Sequence, residues 1–592
     1  MDYQRPKADA VIVGLGWSGS VMAEELTRAG LNVVAVERGA WRETSKDFPT
    51  TTDPDELKYS VRKEILQPPA VETYTVRNNA SQTALPGREW NNWTLGMNVG
   101  GAGTHWAAAA WRFLPTDFQL ESHITERYGR EQFVDGLIAQ DWGITYDELE
   151  PFYDRFEKIA GIAGTAGVVN GERQPGGNPF EGSRSDHFPT PALVRSRWND
   201  IFDDTTKKMG YHPFPVPAGT LGSAYTNALG INLAPCTYCG YCQLYGCGNW
   251  SKSSPNACVM PALTRRENFT MLTQCEVTRI EKSRDGQTAT GVTFVDADGH
   301  TGFQPADMVI VAAYQLDNVR LLMLSEFGQM YDHRTGEGTL GRAYSFQTLS
   351  YAFLHFENER LNPFMNTGAL ATQIDDFNGD NFDHTGLGFI GGAGIQALSN
   401  AGLPIGLSSE LPEGAKQWGS SWKRSFQHAY QNWAMIQGQG TSHSHRDQFL
   451  DLDPTYKDRH GNPLLRMTYD YNLNDQRSGA FIRDRCRDIA EQIEGVRHIR
   501  AVSFAENHYS PYTGFDSSHT TGGAVMGLDP NTSVLNRYQQ HWDAHNLFVL
   551  GASSFPNNAG YNPTVTLGAL TIWTARAIID DYLQNPGPLV RS

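Results

Sequence analysis

The segment VIVGLGWSGS, residues 11–20, restricts what this chain can fold into more than any other stretch. An apolar run over 8–13 reads as a strand, and Gly14, Gly16 and Gly19 follow it in G-x-G-x-x-G spacing. A helical stretch through Met22, Leu26 and Ala29 and a second apolar run over 31–36 complete a βαβ unit. Glycines at these places permit a tight turn, close approach of backbone to a pyrophosphate, and close packing of helix on strand. The helix N-terminus adds N–H donors and the positive end of its dipole. The second strand ends in Glu37, 23 residues beyond Gly14, where an acidic side chain can grip the ribose hydroxyls of a dinucleotide. Its charge would repel a 2′-phosphate, which argues against NADP.

A chain of 592 residues exceeds the size at which one core stops growing, so two or more interleaved domains are expected. The net charge of −17, with no run of Lys or Arg, argues against nucleic acid. No window approaches 18 consecutive apolar residues, so the chain is not expected to span a membrane by itself. The N-terminal apolar run leads straight into the glycine turn and has no signal-peptide character, so export would need a partner's signal. Segment 53–82 is polar and reads as a surface excursion, and 96–103 is glycine-rich. Helical spacing of Leu149, Phe152, Phe156 and Ile159 marks 141–162, and 164–189 reads as loop. Strand-like runs at 275–281, 290–295 and 307–313 suit a sheet returning to the first domain. Region 346–510, with strand-like pieces at 350–356 and 464–471, is assigned to a second, substrate-covering domain.

Cys236, Cys239, Cys242 and Cys247 fall within twelve residues, whereas Cys258, Cys275 and Cys486 are scattered. Structural zinc sites commonly use two ligand pairs separated by a longer stretch. Three thiols at successive three-residue steps match the tight wrap around an iron–sulfur cluster, with zinc and uncomplexed thiols or disulfides as alternatives. His443 and His445 could share a strand face as a metal pair, but no third ligand accompanies them, and they are read as loop residues.

Four further blocks carry a resemblance: GMNVGGAGTHWAAAAWR (96–112), ADMVIVAAYQLDNVRLLMLS (306–325), SSHTTGGAVMG (517–527) and LFVLGASSFPNNAGYNPTVTLGALTIWTARAI (547–578). Together with the N-terminal fingerprint they are similar to the glucose-methanol-choline (GMC) oxidoreductase family over almost the whole chain. The resemblance implies a mixed α/β (α+β) fold, in which an FAD-binding Rossmann-like domain (1–125, 205–345 and 511–592) carries a discontinuous substrate-covering part (126–204 and 346–510) built on an antiparallel sheet. It implies FAD, held noncovalently or covalently. Gly100, Gly101, Gly103 and Thr104 would lie along flavin and pyrophosphate, Val277 at the adenine end, and Gly551, Ala552, Asn562, Pro563 and Thr564 over the isoalloxazine. His105 would be a secondary contact. Alcohol oxidation needs a base with a pKa near neutrality, and His519 stands where the family has its catalytic histidine, with Asn562 as the second member of the His/Asn pair. Two positions depart from the family pattern: Gly551 replaces an aspartate, and Tyr314 replaces the glycine after the Ala-Ala pair.

The cysteine insertion is foreign to the oxidases of that family. It resembles the large subunits of bacterial membrane-bound sugar and sugar-acid dehydrogenases, most of all those that oxidise gluconate. That implies an iron–sulfur cluster of the 3Fe-4S type on three of the four cysteines, a multi-haem cytochrome c subunit, and a small chaperone-like subunit with a twin-arginine export signal. It also implies a place on the periplasmic face of the inner membrane. D-gluconate is the first expectation for the substrate, with fructose, sorbitol and glucose as alternatives. A peroxide-forming oxidase with structural zinc is a second reading, and a flavin-binding electron-transfer module without a substrate of its own is a third. A carboxylate substrate should meet a cation, for which Arg112, Lys252 and Arg342 are candidates.

Overall fold

A computed structural model describes residues 1–48, 53, 55–57, 65–88, 94–399, 403–408, 410–510 and 517–590. Parts of the expected 53–82 excursion (54 and 58–64), of 346–510 (400–402 and 409) and of 511–592 (511–516 and 591–592) lie outside them.

β1 (Ala8–Val13) and β2 (Val33–Val36) are buried almost throughout, as continuous apolar strands are when a parallel sheet is covered on both faces. α1 (Trp17–Arg28) joins them, and β3 (Phe269–Leu272) adds in parallel outside β2. On the other side of β1 lies β6 (Thr301–Val311), also parallel. β6 pairs further with β12 (Leu547–Val549) in parallel, and with β5 (Ala289–Val295), which pairs with β4 (Glu276–Lys282), antiparallel. With Tyr3–Gln4, eight strands form this sheet among the described residues.

α2 (Tyr146–Ala160) begins at a capping box in which Thr145 and Glu148 each accept the other's backbone N–H. Its buried face, including Phe156, packs on α5 (Thr564–Ala577), and a Cβ at Gly568 would come within 2.4 Å of the Phe156 ring. Between these elements α3 (Gln315–Leu324) follows β6.

The second sheet is antiparallel, in the order Phe214–Pro215, β8 (Ala371–Ile374), β9 (Ala393–Leu398), β10 (Trp433–Thr441), β7 (Gln347–Phe356) and β11 (Val496–Ser503). The two-residue alternation sorts its faces. Ala352, Leu354, Ile395, Ala397, Ala434 and Ile436 cluster with Ile482, Cys486 and Ile489 of α4 (Leu473–Glu491). Tyr351, Phe353, Gln396, Gln437 and Gln439 point the other way, into a cavity.

Segment 53–82 is not merely a surface excursion where it is described. Thr75–Arg77 pairs in parallel with Pro463–Thr468, and Leu66, Tyr74 and Val76 are buried. Its polar composition hides alternate apolar positions that a strand can bury.

Arg112 closes the glycine-rich block onto α2. Its Nε and Nη2 donate to the Glu157 carboxylate at 2.9 and 2.8 Å, its Nη1 donates to Glu150 at 3.0 Å, and Arg184 also donates to Glu157. Burial alone would raise the Glu157 carboxyl; the two guanidinium groups hold it below the ordinary carboxylate range. With each of its three nitrogens donating inside the protein, Arg112 is not the cation for a substrate carboxylate. Removing one partner of a buried charge network costs about 3–5 kcal/mol. Glu157→Ala should lower the urea midpoint of unfolding accordingly, and a midpoint equal to that of the unaltered protein would refute this account.

Candidate active site

A cavity of about 620 Å³ runs from the carboxyl edge of the first sheet to the inner face of the second. At one end stands Glu37, whose two carboxylate oxygens accept the backbone N–H groups of Leu15 (2.8 Å) and Gly39 (2.7 Å). Burial raises its pKa against the pull of these two donors and Arg38. The carboxylate is thus fixed at the tip of β2, where it can accept from ribose hydroxyls. Arg38 pairs with Glu72 and Arg320 with Glu72 and Asp458, so the guanidinium groups at this end are already neutralised.

The three glycines do different work. A Cβ at Gly16 would meet nothing within 4 Å, which is the open cradle that a pyrophosphate needs. Gly14 has φ +91°, and a Cβ there would come 2.6 Å from the Ala312 carbonyl oxygen; one at Gly19 would come 1.9 Å from the Gly14 oxygen. Gly14 and Gly16 line the cavity, and Gly19 holds helix to strand behind it. Gly101, Gly103, Val277, Gly551, Ala552, Pro563 and Thr564 also line the cavity. Gly100 and Thr104 stand one layer back: Thr104 hydrogen-bonds Asn98 and Asn256, and a Cβ at Gly100 would strike the Asn256 amide oxygen. A long cavity with a glycine cradle, a fixed acid at one end and the start of α5 at the other suits FAD.

Tyr314, one of the two departures from the family pattern, has φ +89°, a strained value for a residue with a side chain. Its hydroxyl donates to the Ser518 carbonyl at 3.2 Å and so ties β6 to the segment that carries His519.

His519 and Asn562 meet at the far end, with Asn562 Nδ2 3.1 Å from His519 Nε2. Gln347, at the start of β7, decides which ring nitrogen carries the proton. Its Nε2 donates to the carbonyls of Ala559 (2.7 Å) and Tyr561 (2.8 Å), which turns its Oε1 toward His519 Nδ1 at 2.5 Å. Nδ1 must therefore be the donor, and the Nε2 lone pair is left for Asn562 and the cavity. Burial lowers the His519 pKa to about 4, below the near-neutral value expected of the base, because the desolvated site disfavours the charged ring; the ring is therefore neutral, with its Nε2 lone pair available. Gln439 donates to Asn562 Oδ1 at 2.9 Å, which aims the Asn562 amide N–H groups at His519. Neither glutamine carries a local motif; only the pairing of β7 with β10 brings them to the site. His105 also lines the cavity, its Nε2 2.7 Å from the Thr94 carbonyl oxygen, and burial lowers its pKa to about 4.

The cysteine segment adjoins the same cavity. Gln243 and Leu244 line it, as does Gly368, where a Cβ would lie 2.7 Å from Cys242 Cβ. Cys242 is buried, Cys236, Cys239 and Cys247 are half-buried, and none is in a disulfide. Burial pushes the Cys236 thiol up to about 12 and raises Cys242 as well, against the pull of Lys252. Four sulfurs bound ~2.3 Å from a single zinc must crowd together. Among the described residues no three of these sulfurs lie within 4.8 Å of one another.

Lys252 is buried behind this segment, its Nζ donating to the carbonyls of Trp106 (3.1 Å), Cys242 (2.7 Å) and Tyr245 (2.7 Å). Arg342 lines a separate cavity with Arg334 and Arg446. None of the three cations expected for a substrate carboxylate therefore lines the cavity: spacing along the chain does not reveal that carboxylates or carbonyls have already claimed Arg112 and Lys252. His445 Nε2 lies 3.0 Å from the Asp135 carbonyl oxygen and His443 is buried, so the two histidines do not form a metal pair.

The tautomer can be tested directly. In protein with isotope-labelled histidine, the nitrogen shifts of His519 should report Nδ1–H and a neutral ring down to about pH 5. Gln347→Glu, which sets a carboxylate beside Nδ1, should raise that pKa, because a nearby negative charge favours the protonated ring. A ring titrating at 6.5 or above in the unaltered protein would overturn the assignment.

Models of the GMC oxidoreductase family match residues 218–343 and 445–571. The chain is 42% identical to the gluconate 2-dehydrogenase flavoprotein of Pantoea cypripedii, over 99% of this chain and 96% of that protein. It is 26% identical to the fructose dehydrogenase large subunit of Gluconobacter japonicus, over 99% and 100%. Among solved structures, pyridoxine 4-oxidase from Mesorbium loti superposes with a TM-score of 0.57 at 17% identity, covering 96% of this chain and 99% of that one. These likenesses agree with a cavity shaped for FAD and a His/Asn pair at its end: the chain belongs to the GMC oxidoreductase family and is an FAD-dependent oxidoreductase acting on alcohol groups.

Proposed function

We propose that this chain is the FAD-bearing subunit of a dehydrogenase complex that oxidises a secondary hydroxyl of a sugar acid or sugar. D-gluconate going to 2-keto-D-gluconate is favoured by the 42% identity to the Pantoea protein. The observation that carries the chemistry is the His519–Asn562 pair, in which Gln347 keeps the proton on Nδ1 and leaves Nε2 to accept from Asn562 or from a substrate hydroxyl. A hydroxyl set between the two would pass its proton to His519 Nε2 while Asn562 Nδ2 donates to its oxygen. When bound, FAD supplies the acceptor for the hydrogen on carbon.

The electrons are proposed to leave through the cysteine segment, because Gln243 and Leu244 share the cavity wall and Gly368, also in that wall, lies against Cys242. Cys236, Cys239, Cys242 and Cys247 would hold an iron–sulfur cluster of the 3Fe-4S type, for which three thiolates suffice; when bound, it supplies a one-electron relay. A multi-haem cytochrome c subunit would receive the electrons. A small partner bearing the export signal would carry the folded chain to the periplasmic face of the inner membrane. An oxidase with structural zinc on the same four cysteines is the second reading, and metal analysis separates the two.

His519→Ala should retain FAD and slow anaerobic bleaching of the flavin by D-gluconate roughly 10²- to 10⁴-fold. Normal bleaching would remove His519 from the reaction. Metal analysis of the purified protein should find about three to four iron atoms per chain. Stoichiometric zinc without iron would end the relay proposal and leave the FAD site untouched.

A further inference from the structure

We infer that Gln396, Gln437 and Tyr351 read the substrate's hydroxyls beyond the one being oxidised, so that the cavity selects a polyhydroxylated chain by neutral hydrogen bonds and not by an ion pair. The inference rests on the proposed oxidation of a sugar or sugar acid and names how that substrate is held.

The three residues form a row across adjacent strands. Gln396 of β9 stands directly opposite Gln437 of β10, and Gln437 directly opposite Tyr351 of β7. All three line the cavity that holds His519 and Asn562. Gln437 lies two residues before Gln439 on the same face of β10, and Gln439 donates to Asn562. Two residues of strand rise are ~6.6 Å, so the row sits a short polyol chain away from the reacting carbinol. Within the row the contacts are long, 3.4 Å from Gln396 to Gln437 and 3.3 Å from Gln437 to Tyr351. Each of these amides can both donate and accept, which matches a hydroxyl, itself both donor and acceptor. Gln396 is buried and Gln437 half-buried; an amide buried without a good partner is costly, so a substrate that lacks those hydroxyls binds against that cost.

Charge points the same way. Among the described residues lining the cavity, the only Lys or Arg side chains are Arg38 and Arg320, both at the Glu37 end and both paired with acids. Glu410 also lines the cavity and is itself paired, 3.7 Å from Arg500. Among the described lining residues, a substrate carboxylate thus meets amides and a phenol at the second sheet and no Lys or Arg side chain.

The test uses the FAD-loaded protein with D-gluconate, D-sorbitol and 2-butanol as reductants. In Gln396→Leu and in Gln437→Leu, the ratio of kcat/KM for either polyhydroxylated substrate to that for 2-butanol should fall about 3- to 10-fold, the worth of one neutral hydrogen bond, mainly through KM. Gln437→Lys should lower the KM for D-gluconate and not that for D-sorbitol, a gain that a merely damaged fold would not produce. FAD content is measured on each variant. Bleaching of the unaltered protein by the sugars, with unchanged ratios in both leucine variants and no gain for the lysine variant, overturns this inference alone. Failure of both sugars to bleach the unaltered protein overturns the proposed function and this inference with it.

Discussion

β6 hydrogen-bonds to β1 on one side and to β12 on the other along the same three residues, 309–311. Those pairings are continued past the strand ends, where Ala312 N–H donates to Val13 and Leu550 N–H to Val311, each at 2.8 Å. One stretch of strand therefore delivers Gly14, Tyr314 and Gly551, hundreds of residues apart in sequence, to the same carboxyl edge. Open parallel sheets bind ligands at that edge. A slip of one residue in either pairing would turn every side chain to the opposite face and dissolve the cavity.

The second sheet depends on that edge without sharing its hydrogen bonds. Gln347 opens β7 and accepts from His519 while donating to two backbone carbonyls of the loop before α5, so its side chain helps fasten the antiparallel sheet to the C-terminal block. The neutral ring of His519 follows from this fastening and from burial. A carboxylate in place of Gln347 would also fix the tautomer, but it would favour the charged ring.

The parts legible in sequence were those whose physics is local. The glycine turn announces itself because backbone approach excludes side chains at fixed offsets, and Glu37 because a strand of known length ends there. α2 showed in the spacing of Leu149, Phe156 and Ile159. Gln347, Gln396, Gln437 and Gln439 gave no sign, since a glutamine in a strand has no pattern of its own and acquires its role only from the residue paired across from it. The same limit misdirected the search for a cation. Arg112 and Lys252 sit in suggestive blocks, yet Glu157 and three carbonyls had already claimed them. The buried strand in the polar 53–82 segment stayed hidden for a related reason, its partner 463–468 lying almost four hundred residues away.

Lys252 carries a consequence for anyone who would transplant the cysteine segment into a relative that lacks it. The ammonium spends its three N–H groups on carbonyls from two sides, Trp106 in the wall of the FAD cavity and Cys242 and Tyr245 in the segment itself. Moved without its lysine, the segment would leave the two inward-facing carbonyls of Cys242 and Tyr245 with no donor; moved with it but without the Trp106 carbonyl opposite, it would bury a charge short of one partner. The stretch from 236 to 252 is thus not a portable cassette. It is one half of a joint, and the other half is built into the wall around the cofactor.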